Sequence, residues 1–159
     1  ACGSQALALL NAVFDQNRQV SQAFSAKITE TGEAARRMNE LLSAQKYRMA
    51  GLEKRVFAGI AESYGNRGNV LHFEEGLSAD GVRELADAIA DKCGGTAAVF
   101  SGSDGGYAYC LIARQGDLRQ LGRDMTAALH GRGGGKPLCQ QGRVQAAKEE
   151  IEAFFADRQ

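Results

Sequence analysis

A long, narrow apolar stripe constrains this chain more than any other feature. Met38, Leu42, Gln45, Met49, Leu52, Val56 and Gly59 recur in a four-three alternation close to a heptad. The spacing predicts one helix over 33–64, about 48 Å long at 1.5 Å per residue. Such a seam is buried only against another helix. An earlier stretch offers one. Leu7, Leu10, Phe14, Asn17, Val20 and Phe24 recur at three- and four-residue steps, with Ala6, Val13 and Ser21 widening the face and Asn17 interrupting it. The pattern breaks over 25–32, where Thr31 is a candidate cap. The first helix covers only part of the stripe, so the remainder calls for another chain or another domain. Gly51 and Gly59 weaken the long helix, each by up to about 1 kcal/mol relative to Ala.

At Tyr64-Gly65-Asn66-Arg67-Gly68 the grammar changes to alternating strands and helices. Val70–Phe73 reads as a short strand. Ser78–Cys93 reads as a helix with Val82, Leu85, Ala86 and Ile89 on one face, ended by Gly94-Gly95. Thr96–Ser101 is apolar through its middle and predicts a central strand. Ser103-Asp104-Gly105-Gly106 is a hairpin turn, and Tyr107–Ala113 returns antiparallel. Asp117 caps a helix carrying Leu118, Leu121, Met125 and Leu129. A last amphipathic helix uses Val144, Ala147, Ile151, Phe154 and Phe155. The fold class expected is α/β (α+β): a helical hairpin or coiled-coil arm over 1–66, then a small mixed-sheet α/β sandwich over 67–159.

The chain has 159 residues, 24% of them charged and 44% hydrophobic, with zero net charge. No apolar run approaches the roughly 18 residues of a membrane helix, and no basic-then-apolar signal pattern opens the chain. A membrane partner is therefore not expected. The opening Ala1-Cys2-Gly3 without Met reads as an excised piece of a larger protein. Cys2, Cys93, Cys110 and Cys139 are far apart and form no CxxC, which fits reduced thiols in the cytoplasm. Cys93 and Cys110 fall at apolar positions and read as small core residues. Cys139 and His130 lack a third ligand, so no metal is expected. His72 reads as a strand residue with an ordinary hydrogen bond. Tyr107 and Tyr109 share one strand face, where they either stack on bases or fill the core.

The charge is unevenly spread. Arg114, Arg119, Arg123, Arg132, Lys136, Arg143 and Lys148 face only Asp117 and Asp124 between residues 114 and 148. Such a local field favours a phosphate backbone, although an ordinary solvated surface has the same composition. Within it lies Gly131-Arg132-Gly133-Gly134-Gly135-Lys136-Pro137, read as a loop that exposes backbone N–H groups to a phosphate or carboxylate. It is not a P-loop, because His130 and Pro137 stand where that motif needs Gly and Ser or Thr. It is not a dinucleotide fingerprint, because Lys136 occupies the third glycine position. Gln140 and Gln141 beyond it either contact bases and sugars or pair an edge strand.

The run His130-Gly131-Arg132-Gly133-Gly134-Gly135-Lys136-Pro137, followed by Gln141-Gly142, resembles the signature of the DHH-associated domain, type 1. That domain closes alanyl-tRNA synthetases and long-form alanyl-tRNA editing proteins. Gly76-Leu77-Ser78-Ala79-Asp80-Gly81-Val82-Arg83-Glu84-Leu85-Ala86-Asp87 is similar to the family's first sheet-covering helix and its approach. The helical stretch from Ala6 to Tyr64 resembles the arm that follows the editing domain. The resemblance implies a non-catalytic module that binds alanine-accepting tRNA and forms a homodimer through its helices. Arg132, Gly133, Gly134, Gly135, Lys136, Gln141 and Arg143 are its candidate nucleic-acid-binding residues. Lys136 stands where related phosphoesterase domains carry a His, which favours the tRNA branch over a substrate-holding domain of a DHH-type phosphoesterase. A purely structural dimerisation domain is the third reading. HxxxH, CxxxH and DHH motifs are absent. Catalytic residues and cofactors are thus expected to be none in this stretch. Zinc or ATP would belong to other domains of a parent alanine–tRNA ligase or editing hydrolase.

Overall fold

The structure, a computed structural model, describes residues 2–156, and the Cys2 side chain lies outside what it describes. The chain divides into two units, residues 1–50 and 51–159. The first contains helix α1 (Cys2–Ala23), a short 3-10 turn (Ile28–Glu30) and the opening turns of helix α2 (Thr31–Glu62). Thr31 caps its own turn by donating its hydroxyl to the Ile28 carbonyl at 3.0 Å. The stripe read from the sequence is helical throughout but open. Phe14 of α1 is 58% exposed, and Met38 and Leu42 of α2 are 45% and 47% exposed. Among the described residues, every member of the α2 stripe from Met38 to Gly59 is exposed.

The second unit holds a five-stranded mixed sheet. Its strands are β1 (Gly68–Phe73), β2 (Gly94–Ser103), β3 (Gly106–Ala113), β4 (Arg132–Lys136) and β5 (Cys139–Val144), in the order β1-β2-β3-β5-β4. β1 runs parallel to β2, and every other pairing is antiparallel. Helix α3 (Ala79–Cys93) crosses between the parallel strands. Ser78 is its N-cap, accepting from the Gly81 N–H at 3.1 Å, and Gly94 at φ 74° ends it in the left-handed conformation. On one sheet face Val82, Leu85 and Ile89 pack over Val70, Val99, Cys110 and Ile112, joined by Phe57 and Ala61 from the last turns of α2. On the other face, helices α4 (Arg119–Ala128) and α5 (Lys148–Ala156) bring Met125, Ile151 and Phe154 against Phe100, Tyr109 and Leu111. Each face is a separate apolar cluster, so the sheet is the middle layer of a sandwich.

Three local expectations are corrected. Arg132–Lys136 is not a loop but the edge strand β4. Val144 ends β5 instead of opening the last helix, which begins at Lys148; its side chain still joins the α5 core because strand and helix converge there. Asp117 accepts from the Arg119 N–H at 2.9 Å, yet Leu118 is the residue that enters α4. The tyrosines fill the core: Tyr107 and Tyr109 are 6% and 2% exposed, so neither ring is free to stack on a base. Cys93 and Cys110 are buried free thiols as expected. His72 sits on β1 with its Nδ1 2.9 Å from the Tyr64 hydroxyl.

Candidate nucleic-acid interface

The glycine run becomes a strand because of where it lies. At an edge, glycine's lack of a side chain permits an approach that other residues would block. The left-handed His130 (φ 49°) turns the chain out of α4. The Gly131 N–H then donates to the Thr126 carbonyl at 2.7 Å, and β4 pairs with β5 from Arg132↔Arg143 to Lys136↔Cys139. Gly133 and Gly142 face each other, and a Cβ on Gly142 would strike the Arg132 carbonyl and the Gly133 Cα. A Cβ on Gly133 would strike the Tyr109 hydroxyl and the Gln141 carbonyl. Gly134 differs: a Cβ there meets nothing within 4 Å.

Strand alternation sorts the candidate residues onto two faces. Cys110 and Ile112 of β3 face α3, and their partners across the ladder are Gln141 and Cys139 of β5. Arg143 lies opposite Ala108 on the same side. The β4 partners of these three are Gly134, Lys136 and Arg132. Arg132, Lys136, Gln141 and Arg143 therefore share the α3-side face of the β4–β5 ribbon. All four are exposed. Gly133, Gly135 and Gly142 lie on the opposite face, toward Tyr109 and α4, and serve packing. Gln140 also points that way. It is buried, and its amide donates to the Lys136 carbonyl at 2.7 Å, so it pairs the edge strand from within the protein.

α3 packs over β1, β2 and β3, whereas α4 lies against β4 and β5. The α3-side face of the ribbon consequently borders an open groove of about 850 Å³, lined among others by Asp80, Arg83, His130, Arg132, Gln141 and Arg143. Arg83 was not among the residues singled out from the sequence. It belongs to the groove only because the α3 crossover lays the first turn of that helix beside β5, a relation that local spacing does not encode.

The groove's cations are unneutralised. Arg132 and Arg143 are directly opposed across the ladder, a like-charge arrangement that is destabilising without a counter-ion. Among the described residues no carboxylate forms an ion pair with Arg83, Arg132, Lys136 or Arg143. Of the other members of the basic stretch, Arg123 donates to the Gln120 side-chain oxygen at 2.6 Å and has no carboxylate partner among the described residues, whereas three are paired. Arg114 bridges Asp87 and Asp91 at 2.9 and 2.6 Å. Arg119 grips Asp117, whose carboxyl its hydrogen bonds hold down to about 2. Lys148 reaches Glu152 and lies over the Phe73 ring. Of the four cations over 114–148 without a carboxylate partner among the described residues, Arg132, Lys136 and Arg143 lie on one strand pair, and Arg83 stands on the adjoining helix. No group of three or more potential metal ligands occurs among the described residues. No described helix is long and apolar enough to cross a membrane.

Among solved structures, the chain is similar to the C-Ala domain of Aquifex aeolicus alanyl-tRNA synthetase, with 19% identity and a TM-score of 0.44 over 52% of this chain and 85% of that one. No curated protein matches it. Residues 66–157, which contain the whole mixed sheet and the groove, match the model of the DHHA1 domain, and the chain belongs to that family.

Proposed function

We propose that this chain is a tRNA-binding C-terminal module of an alanyl-tRNA synthetase or alanyl-tRNA editing protein. The observation that carries the proposal is the set of unpaired cations, Arg83, Arg132, Lys136 and Arg143, on and beside the uncovered face of the β4–β5 ribbon. A phosphate backbone supplies the counter-charge that Arg132 and Arg143 lack, and each neutralised phosphate releases condensed counterions. Gln141, one step along the same face from the Arg132–Arg143 pair, adds an amide able to meet a sugar hydroxyl or a base edge. The module has no catalytic role in this reading, and the chemistry belongs to the parent protein's other domains. At low salt the chain should bind alanine-accepting tRNA, and Arg83→Ala with Arg143→Ala should weaken that binding at least tenfold without lowering the melting temperature. Unchanged affinity in the double variant would refute the assignment.

A second role is favoured by a separate observation. Leu7, Leu10, Phe14, Met38, Leu42, Met49 and Leu52 are all exposed, a length of apolar helix surface that a lone chain leaves in water. We infer that these helices pair with a second copy as a coiled coil. Leu42→Lys with Leu52→Lys should shift sedimentation from dimer to monomer while the sheet keeps its thermal transition. A parent chain that sediments as a monomer at high concentration contradicts the pairing.

A further inference from the structure

We propose that Cys110 and Cys139 form a reversible disulfide that ties β5, and with it the basic β4–β5 ribbon, to β3. The two sulfurs lie 4.0 Å apart. They sit on adjacent antiparallel strands, since Cys110 lies opposite Gln141 and Cys139 opposite Ile112, and so form a diagonal pair on the α3 side. A disulfide needs its sulfurs at about 2.05 Å, so side-chain rotation and a small slide of β5 must close the gap. β5 is the only strand between β3 and the edge strand β4, so its shift is opposed on its outer side by a single five-residue strand.

The two thiols differ in access. Cys110 is 1% exposed, and burial, then the neighbouring Cys139 thiol, push its proton affinity up. Cys139 is half-buried and lines an open groove of about 480 Å³ beside Arg83, Asp87 and Leu138. Cys93 provides the contrast: it is buried, and its sulfur accepts the Gly95 N–H at 3.4 Å. Oxidation therefore enters at Cys139. The Cys139 thiolate attacks a low-molecular-weight disulfide, forming a mixed disulfide and expelling one thiolate, which takes a proton. The Cys110 thiolate then attacks the Cys139 sulfur and expels the second thiolate. The protein loses two electrons and two protons, and the small disulfide becomes two thiols. The high proton affinity of Cys110 makes the second step the slow one, and it accelerates as pH rises.

The test is peptide mapping of the full 159-residue chain carrying Cys2→Ser, after incubation with oxidised glutathione and alkylation of the remaining thiols. The expected product is lighter than the starting chain by two hydrogens. Digestion should release a linked peptide pair containing residues 110 and 139, Cys93 should be alkylated, and dithiothreitol should restore both thiols. Cys110→Ala should instead hold a stable glutathione adduct on Cys139, whereas Cys139→Ala should leave Cys110 unmodified. A persistent adduct on Cys139 of the parent chain with Cys110 alkylated would overturn the proposal. So would a link through Cys93, or no loss of thiols over the course in which a surface dithiol peptide is oxidised.

Discussion

Gly133, Gly134 and Gly142 look alike in the sequence and have different work in the fold. Gly142→Ala would press a methyl group into the Arg132 carbonyl, so it should lower the unfolding free energy by roughly 1–3 kcal/mol. Gly134→Ala meets open space at an unstrained φ and should change the urea midpoint little. The two-sided geometry of β4 thus places the sensitivity to an added side chain at 133 and 142 and not at 134. Tyr109 has a buried hydroxyl with no hydrogen-bond partner among the described residues. Tyr109→Phe removes an unsatisfied polar group and should leave stability unchanged or raise it by about 1 kcal/mol, as urea unfolding would record. Ionisation gives a related expectation. Burial raises the proton affinity of Tyr109 and of the Cys110 thiol, so both are neutral in the fold. Each contributes stability that is complete below its unfolded pKa and is lost as pH rises above it. The urea midpoint should accordingly hold near pH 7–8 and decline above about pH 8.5, the ordinary thiol value. A midpoint that rises between pH 8.5 and 10 contradicts these burial effects.

At the scale of elements, legibility followed apolar periodicity. α3 was readable because Val82, Leu85, Ala86 and Ile89 mark one face while Ser78 and Gly94 punctuate its ends. Ser78→Ala should therefore cost about 1 kcal/mol in thermal or urea unfolding. The β2–β3 hairpin was readable because Gly105, at φ 93°, supplies the turn between two apolar strands. β4 was illegible as a strand. Arg-Gly-Gly-Gly-Lys has low β-propensity and no apolar alternation, and it is ordered by pairing with β5 and by a Tyr109 layer that tolerates no Cβ. A weak signal was present: Gly133 and Gly135 alternate, and a third glycine sits at 142. The Val144 misplacement has a different cause, since Val144, Ala147 and Ile151 continue a helical spacing across a strand end and a loop. The long stripe of α2 was legible as a helix, but its covering surface was not, because periodicity reports an apolar face and not the identity of what buries it.

For the molecule as a whole, local features alone did not assemble the candidate site. Arg132, Lys136, Gln141 and Arg143 were chosen from one glycine-centred motif, and the β4–β5 register places them on one face. Arg83 arrives from about fifty residues upstream through a βαβ crossover, which no local pattern displays. A chain with zero net charge thereby presents a local cluster of cations, while Arg114, Arg119 and Lys148 are spent on intramolecular contacts. The most direct test of the central claim is the dependence of tRNA affinity on salt for the parent chain and for Arg132→Ala with Arg143→Ala, measured on the same preparation of alanine-accepting tRNA. Each lost phosphate contact should flatten the slope of log affinity against log salt by roughly 0.7 to 0.9, so the double variant should bind more weakly and lose about one to two units of slope. The same affinity and the same slope in both proteins would mean that the ribbon face does not meet the phosphate backbone, and the proposed interface would be wrong.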